Sequence, residues 1–319
     1  MNSVTAGVVL LFSLCLSSTD ALAQQGKDQQ KAVLITGAST GIGRNMAETL
    51  AAEGYFVYAG ARKQADIDAL SDIDNIQGIR LDVTAQEEID AAVETVRKEG
   101  RGLYGLVNNA GVGVIGPMIE VDEEDMRFQM DVNVFGPYRV TKAFAPLIIE
   151  SKGRITTTGS ISGILSGTLF GPYSMSKHAI EAFTDSLARE MRKFDVQVSV
   201  IEPGNYNSAI IANLKRRMDA RGQSPEGSLY EEEMNRMLAG MDSIEKDKDP
   251  DEVSAALLAF LSDPNPKRRY MVVPEEAQAE ITIRKAIAEL TELNEDQPYT
   301  YDRDELVAML DEALASRKK

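Results

Sequence analysis

Lys31-Ala32-Val33-Leu34-Ile35-Thr36 runs straight into Gly37-Ala38-Ser39-Thr40-Gly41-Ile42-Gly43. The first six residues are short and mostly apolar, the pattern of a buried strand. The glycines make a tight turn. Arg44 to Glu53 then has helical composition and stops at Gly54, and Tyr55 to Gly60 reads as a second buried strand. Strand, glycine turn, helix and strand together form the setting in which such a turn binds a dinucleotide. The glycines permit close backbone approach. The helix N-terminus offers unpaired N–H groups and the positive end of its dipole to a pyrophosphate.

The second strand leads to Ala59-Gly60-Ala61-Arg62-Lys63. No acid stands there to hold a ribose 2′-OH. The forked guanidinium of Arg62 suits a 2′-phosphate instead, which favours NADP(H) over NAD(H). Ser39 and Thr40 can add hydroxyl contacts. The plainer alternative makes Arg62 a solvated loop charge. Ile76 to Leu81 is a third strand ending in Asp82-Val83, where the carboxylate can cap a helix starting near Ala85. Leu103 to Val107 is a fourth strand, followed by Asn108-Asn109-Ala110-Gly111. Asparagine side chains there can tie neighbouring backbone together, and Ala-Gly leaves little bulk beside a flat ligand. Taken alone, that segment is a turn. Asp122 to Glu150 is mostly helical yet contains Asn133 and Gly136, both unfavourable inside a helix. Gly153 to Gly159 is a fifth strand leading to Ser160-Ile161-Ser162-Gly163, and Val196 to Ile201 is a sixth, leading to Glu202-Pro203-Gly204.

Tyr173 and Lys177 are four residues apart at the start of a helical stretch, His178 to Arg192, so they share one helical face. A cation near a phenol favours phenolate and makes the phenol a usable proton donor or acceptor. By itself such a pair is an ordinary surface feature. Ser160 precedes Tyr173 by thirteen residues.

In this order, T-G-x-x-x-G-x-G (Thr36–Gly43), N-N-A-G (Asn108–Gly111), N-x-x-G (Asn133–Gly136), Ser160 and Y-x-x-x-K (Tyr173–Lys177) resemble the short-chain dehydrogenase/reductase family, single-domain type. V-Y-A-x-x-R at 57–62 and G-S-I-S-G at 159–163 resemble its hydroxysteroid and retinol dehydrogenase branch. The resemblance implies an α/β fold, a Rossmann-type doubly wound parallel sheet with helices on both faces. It implies hydride transfer between NADP(H) and a secondary alcohol, ketone or aldehyde of lipophilic character.

It also implies roles. Ser160 would orient the carbonyl oxygen and Tyr173 would deliver the proton. Lys177 would lower the phenol pKa and hydrogen-bond the nicotinamide ribose. Asn133, at a helix kink, would hold a water that links Lys177 to solvent. Cofactor contacts would come from Gly37, Ser39, Thr40, Gly41, Ile42 and Gly43, from Arg62, and from Asp82 (to the adenine amine) and Val83. Asn108, Asn109, Ala110 and Gly111 would add to them, with Tyr173, Lys177, Pro203 and Gly204. Ser208 stands where the family commonly has Thr against the nicotinamide carboxamide. Tyr206 stands where a small aliphatic residue is usual, a departure that bears on the fit there. Two alternatives remain at this point: a non-enzymatic NADP(H)-binding sensor or scaffold, and a sugar-nucleotide epimerase. The second normally carries T-G-x-x-G-x-x-G, which this chain lacks.

With 319 residues and 43% hydrophobic content there is material for a large core, and a net charge of −16 argues against a nucleic-acid partner. Cys15 is the only cysteine and His178 the only histidine. That leaves no disulfide framework, catalytic thiol, histidine-based triad or multi-histidine metal site. His178 projects about 100° away from its neighbour Lys177 around the helix, a packing position. Val4 to Ser18 is an apolar run followed by Ala21-Leu22-Ala23. Residues 1–23 thus read as a signal peptide cleaved before Gln24, or, uncleaved, as a short anchor giving membrane association. The first case implies export, the second a cytoplasmic or membrane-associated protein. Residues 24–30 are a polar linker, 31–274 the catalytic domain and 209–249 a lid over the substrate pocket. There Met218, Met234, Met237 and Met241 are helix-packing residues or an adaptable pocket lining. Residues 275–319 form an extension with amphipathic helices at Ala279–Leu293 and Asp304–Ala315. The family resemblance implies homo-oligomerisation through the helices at 122–150 and 173–193.

Overall fold

Seven strands hydrogen-bond into one sheet: β1 (Ala32–Ile35), β2 (Phe56–Ala61), β3 (Ile76–Arg80), β4 (Gly105–Asn108), β5 (Arg154–Thr158), β6 (Gln197–Pro203) and β7 (Arg269–Val272). The computed structural model describes residues 30–244 and 248–316. The signal peptide or anchor expected at 1–23, and all of the linker but Gln30, lie outside those residues.

The strand order is β3-β2-β1-β4-β5-β6-β7 and every pairing is parallel. The order reverses between β1 and β4, where Ile35 pairs with Val107. A crevice opens at such a switch point, beyond the carboxyl ends of the strands. β1 and β4 are buried along their whole length, as expected of parallel strands covered on both faces.

Alternation along β1 splits the core in two. Leu34 joins Tyr58, Leu106 and Ile155 on one face, beneath α3 (Gln86–Glu99), α5 (Gly136–Glu150) and α6 (Gly171–Met191). Val33 and Ile35 join Val57 and Val107 on the other, beneath α1 (Gly41–Ala52) and α9 (Asp251–Ser262). The short α2 (Gln64–Ser71) connects β2 to β3 and adds Ile67 and Leu70 to the second core.

Before α5 the chain forms α4 (Glu123–Met130), and the two are joined by a π-helical turn at Asp131–Phe135. Asn133 lies in the middle of that turn, which is where the extra residue of a π-turn redirects side chains. The stretch expected as a lid carries α7 (Ile210–Ala220) and α8 (Glu231–Ile244). Leu169, Leu214, Met218, Met234 and Met241 form a small apolar cluster of their own. The lid methionines are therefore packing residues, although Met241 also reaches the cavity described below.

The chain divides after Pro274 into two compact units. In the second, α10 (Glu276–Asn294) and α11 (Arg303–Ser316) are joined by a loop that the Asn294 side chain fastens. It donates to the Tyr301 carbonyl and accepts from the Tyr301 N–H, each at 2.9 Å. No helix among the described residues is long and apolar enough to cross a membrane.

Candidate active site

A cavity of about 400 Å³ lies at the carboxyl ends of the central strands. Its floor is the glycine turn. Gly37 has φ +66°, and a Cβ there would fall 2.8 Å from the Ala110 Cα. At Gly43 a Cβ would come within 2.3 Å of both the Gly37 carbonyl oxygen and Asn109 Nδ2. Only glycine fits either place. The first turn of α1 has no acidic residue and no side-chain cap. Gly41, Ile42 and Gly43 line the cavity there, so their N–H groups and the helix dipole suit an anionic ligand.

Asn109 holds this floor to the neighbouring strands. Its Nδ2 donates to the carbonyls of Thr36 (3.1 Å) and Gly37 (3.2 Å), and Thr158 Oγ1 donates to its Oδ1 (3.1 Å). Asn108 departs from the expected set. Its side chain is buried on the opposite side, with Nδ2 donating to Thr141 Oγ1 on α5 at 2.9 Å. Successive residues leaving a strand point to opposite faces, so adjacent asparagines cannot both face one ligand. Ala110 and Gly111 line the cavity, as do Ser39, Thr40 and Val83.

Arg62 and Asp82 also line it. The Arg62 guanidinium is two-thirds exposed (67%) and 3.9 Å from Asp82 Oδ2. Asp82 does not cap α3, whose N-cap is Ala85. Its Oδ1 instead accepts from Thr84 N (2.9 Å) and Thr84 Oγ1 (2.7 Å), which closes a local turn.

At the other end of the cavity Ser160, Tyr173 and Lys177 meet. Ser160 follows β5, and its Oγ accepts from Ser162 N at 3.1 Å, which fixes the turn. Tyr173 and Lys177 stand one turn apart at the start of α6. The Tyr173 phenol is hydrogen-bonded to Ser160. Burial raises its pKa, with the Ser160 bond working the other way. Lys177 does not bring the phenol down as expected. Its Nζ lies 5.6 Å from the ring centroid and donates to the Thr158 carbonyl at 2.8 Å. Burial lowers the ammonium itself to about 8, with Glu181 opposing.

Asn133 is buried, and its carboxamide pairs with the backbone of Val112: Oδ1 accepts from Val112 N (2.8 Å) and Nδ2 donates to Val112 O (3.0 Å). Nδ2 also reaches Ser176 Oγ at 3.1 Å, and Ser176 donates to the Tyr173 carbonyl at 2.7 Å. Asn133 thus couples the segment after β4 to the start of α6. Gln129 does the same work one turn earlier and was not among the expected residues. It accepts from Val114 N (2.6 Å), donates to Val112 O (3.0 Å) and reaches Ser176 Oγ (3.3 Å). The only hint in the sequence was an amide four residues before Asn133.

Pro203, the last residue of β6, lines the cavity together with Gly204 and Ser208 beyond it. Tyr206 is only 4% exposed, packs in the second core, and sends its phenol to Glu252 Oε2 on α9 at 2.5 Å. Burial and that carboxylate both raise its pKa. The aromatic residue therefore anchors the segment that carries Ser208. Tyr206→Phe should lower stability by about 1 kcal/mol, or roughly 2–4 °C in Tm, as the loss of one such bond predicts. A thermal melt checks this. His178 stays away from the site, with Nδ1 bonded to the Ser174 carbonyl at 2.9 Å. Among the described residues, no group of three or more His, Cys, Asp and Glu side chains could hold a metal.

A family model described as short chain dehydrogenase matches residues 31–219. The chain is 39% identical over 189 residues to the mitochondrial D-beta-hydroxybutyrate dehydrogenase of Bos taurus, covering 56% of this chain and 55% of that protein. It thus spans about half the length of that relative. It is 37% identical over 249 residues to the uncharacterized oxidoreductase YbbO of Escherichia coli (strain K12), with 77% of this chain and 87% of the relative covered. It is 34% identical over 253 residues to the NADPH-dependent 3-dehydrocapnine reductase of Ornithobacterium rhinotracheale, with 76% and 88% covered. Among solved structures, a short-chain dehydrogenase from Streptomyces avermitilis superposes with a TM-score of 0.69 at 29% identity, over 83% of this chain and 96% of that one.

Proposed function

The chain belongs to the short-chain dehydrogenase family, and from that premise we propose an NADP(H)-dependent oxidoreductase that interconverts a lipophilic alcohol and its ketone or aldehyde. That it acts on alcohol or carbonyl groups with a nicotinamide cofactor follows from the family. The observation that carries the mechanism is the meeting of Ser160, Tyr173 and Lys177 at one end of a cavity whose other end is the glycine turn.

A nicotinamide bound in this cavity would supply or accept the hydride. The chain's own residues handle the oxygen and its proton. Hydride arrival at a carbonyl carbon builds negative charge on the oxygen, and donors aimed at that oxygen stabilise it. Ser160 and Tyr173 are those donors. The raised pKa of Tyr173 keeps its phenol protonated at neutral pH, ready to give the proton as a general acid. Lys177, fixed by the Thr158 carbonyl, stands beside the ring without setting the phenol's acidity, and its place there is to hold the nicotinamide ribose when the cofactor is bound. Asn133 positions the backbone facing the substrate and the helix turn bearing Tyr173. Oxidation reverses these steps.

Support for a lipophilic substrate comes from Val112, Ile115, Phe170, Ile211, Leu214 and Met241, which line the end nearest the lid. The only cations among the described lining residues are Arg62 and Lys177. Lys177 is held by the Thr158 carbonyl, and Arg62 belongs to the dinucleotide end. This favours a neutral lipophilic compound over a small acid such as the one named for the bovine relative. Arg62, with no acid at the end of β2 beside it, supports NADP(H), as does the NADPH-dependent relative. Arg62→Asp should weaken NADPH binding roughly tenfold and spare NADH, the lower range for a charged contact because the guanidinium is exposed. Fluorescence titration with both dinucleotides measures this, and unchanged NADPH affinity would remove Arg62 from the 2′-phosphate site.

Exposed Phe135, Tyr138 and Met175, on the helices that run through 131–150 and 171–191, support self-association. Export after removal of residues 1–23 is the localisation that the N-terminal sequence favours. The proposal as a whole is tested by following nicotinamide absorbance with NADPH or NADH against a panel of steroid, retinoid and small ketones, with Tyr173→Phe as control. Turnover lost in the variant supports it. Tight dinucleotide binding with no turnover across the panel would favour a sensor.

A further inference from the structure

Beneath the Ser160 turn lies a pair of carboxyl groups, one buried and one largely so, to which the chemistry above gives no task. Glu181 is on α6, one turn beyond Lys177, and Glu202 is the β6 residue just before Pro203. Glu202 is 2% exposed. Glu181 fills the space left by two glycines that flank the Ser160 turn. A Cβ on Gly163 would meet its Cγ and Oε1 at 3.0 Å, and one on Gly159 would lie 3.3 Å from Oε1.

Arg269 Nε lies 2.9 Å from Glu181 Oε2 and 3.8 Å from Glu202 Oε1, so the two carboxyl groups are neighbours around one nitrogen. Yet Glu181 Oε1 and Glu202 Oε1 are both buried with no donor among the described residues. Ionised carboxylates only accept, and a buried acceptor without a donor is costly. One proton on either group would satisfy both oxygens at once.

The surrounding charges agree. Arg269 on β7 bonds Glu181 Oε2 at 2.9 Å and Asp185 Oδ2 at 2.9 Å, and stands 3.8 Å from Glu202 Oε1. Arg268 lies 3.5 Å from Asp185. Lys177 is spent on Thr158. A single guanidinium thus serves three carboxyl groups, of which Glu202 is buried and Glu181 largely so.

We propose that Glu181 and Glu202 share one proton, and that this bond is a positioning device clamping the Ser160 turn and the Lys177 turn of α6 to the strand end that carries Pro203 and Gly204. The proposal rests on the catalytic reading of Ser160 and Lys177. Burial first, and Glu181 second, push the Glu202 acid up to about 8. Above that pH the pair becomes two like charges in contact, and the turn bearing Ser160 loses its fastening.

Glu202→Gln tests this, because the amide keeps a donor for Glu181 and has no proton to lose. Lys177 titrates in the same range. The alkaline fall of kcat should therefore reflect two groups in the wild type and one in Glu202→Gln, which leaves the variant roughly tenfold ahead at pH 9 relative to its own value at pH 7. Glu202→Leu, which keeps no donor, should lose roughly tenfold in kcat already at pH 7 through misplacement of the turn.

A second readout needs no turnover. The native state holds the Glu202 proton up to about 8, while the unfolded chain releases it near 4.5, the ordinary value for glutamate. Between those values the folded chain binds more protons, so stability falls as pH rises. Tm should decline across that window in the wild type and decline less in Glu202→Gln. Superimposable Tm–pH curves overturn the shared proton. A changed Tm slope with identical kcat–pH profiles overturns the positioning role. A changed Tm slope with no turnover in either protein removes the catalytic reading, and the positioning role with it, while the proton sharing stands. If Glu202→Gln does not fold, Glu181→Gln offers the same donor from the other side and is read in the same way.

Discussion

Tyr173→Phe should lower kcat by roughly 10²–10⁴-fold, the usual worth of a positioned general acid, and leave dinucleotide affinity within about threefold. The substitution removes one oxygen. The ring remains beside Lys177, whose Nζ is held by the Thr158 carbonyl and not by the phenol, so the ammonium stays in place. The Ser160 hydroxyl loses its partner but keeps the bond from Ser162 N that fixes the turn. Steady-state absorbance for kcat and fluorescence titration for binding separate the two effects. A variant that keeps more than a tenth of wild-type kcat would mean that another group delivers the proton.

Asp125→Ala should cost roughly 2–4 kcal/mol of stability and raise KM more than it lowers kcat; the range sits below that for a fully buried pair because the guanidinium keeps some water. Asp125, on α4, is 1% exposed. Its Oδ1 accepts from Arg217 Nη2 (2.5 Å) and Nε (3.1 Å), and its Oδ2 accepts from Gln223 Nε2 (2.6 Å). Arg221 Nε lies 3.3 Å away. One buried carboxylate therefore gathers α7 and the turn after it onto the catalytic body. The Arg217 guanidinium also stacks 3.8 Å over the Phe128 ring. Removing the carboxylate leaves the Arg217 guanidinium and the Gln223 amide without their acceptor, while Arg221 keeps its bonds to Glu124, and α7 carries Ile211 and Leu214 into the cavity. Urea unfolding reads the stability term, and KM for the best substrate reads the lid. Lower stability with unchanged KM would make the contact purely structural.

The parts of this molecule written in local sequence were readable before folding. The glycine turn between an apolar strand and a helix forces its own reading, because positive φ at Gly37 and the lack of room at Gly43 are backbone demands that only glycine meets. The spacing of Tyr173 and Lys177 placed them on one helical face. Asn108 was misassigned although the information was local: strand alternation sends it to Thr141 and away from the cavity. Tyr206 looked like a misfit beside the nicotinamide end, because its partner Glu252 belongs to a helix 46 residues further on. Gln129 escaped notice because all its bonds go to Val112, Val114 and Ser176, contacts that a sequence motif does not encode. The Asp125–Arg217 contact spans 92 residues. Glu181 and Glu202 meet only once β6 lies beside the turn after β5. Long-range pairing of side chains decides these cases, and residue type alone does not.

The lid's separate apolar cluster has an evolutionary reading. Leu214, Met218, Met234 and Met241 pack mainly on one another and on Leu169, outside both cores that flank the sheet. Mutational drift in that region can accumulate without eroding the scaffold beneath it. A lineage could then exchange one substrate for another by replacing this cassette whole, and a laboratory chimera that grafts a relative's lid between the end of β6 and the start of α9 should inherit the donor's preference on the recipient's catalytic machinery.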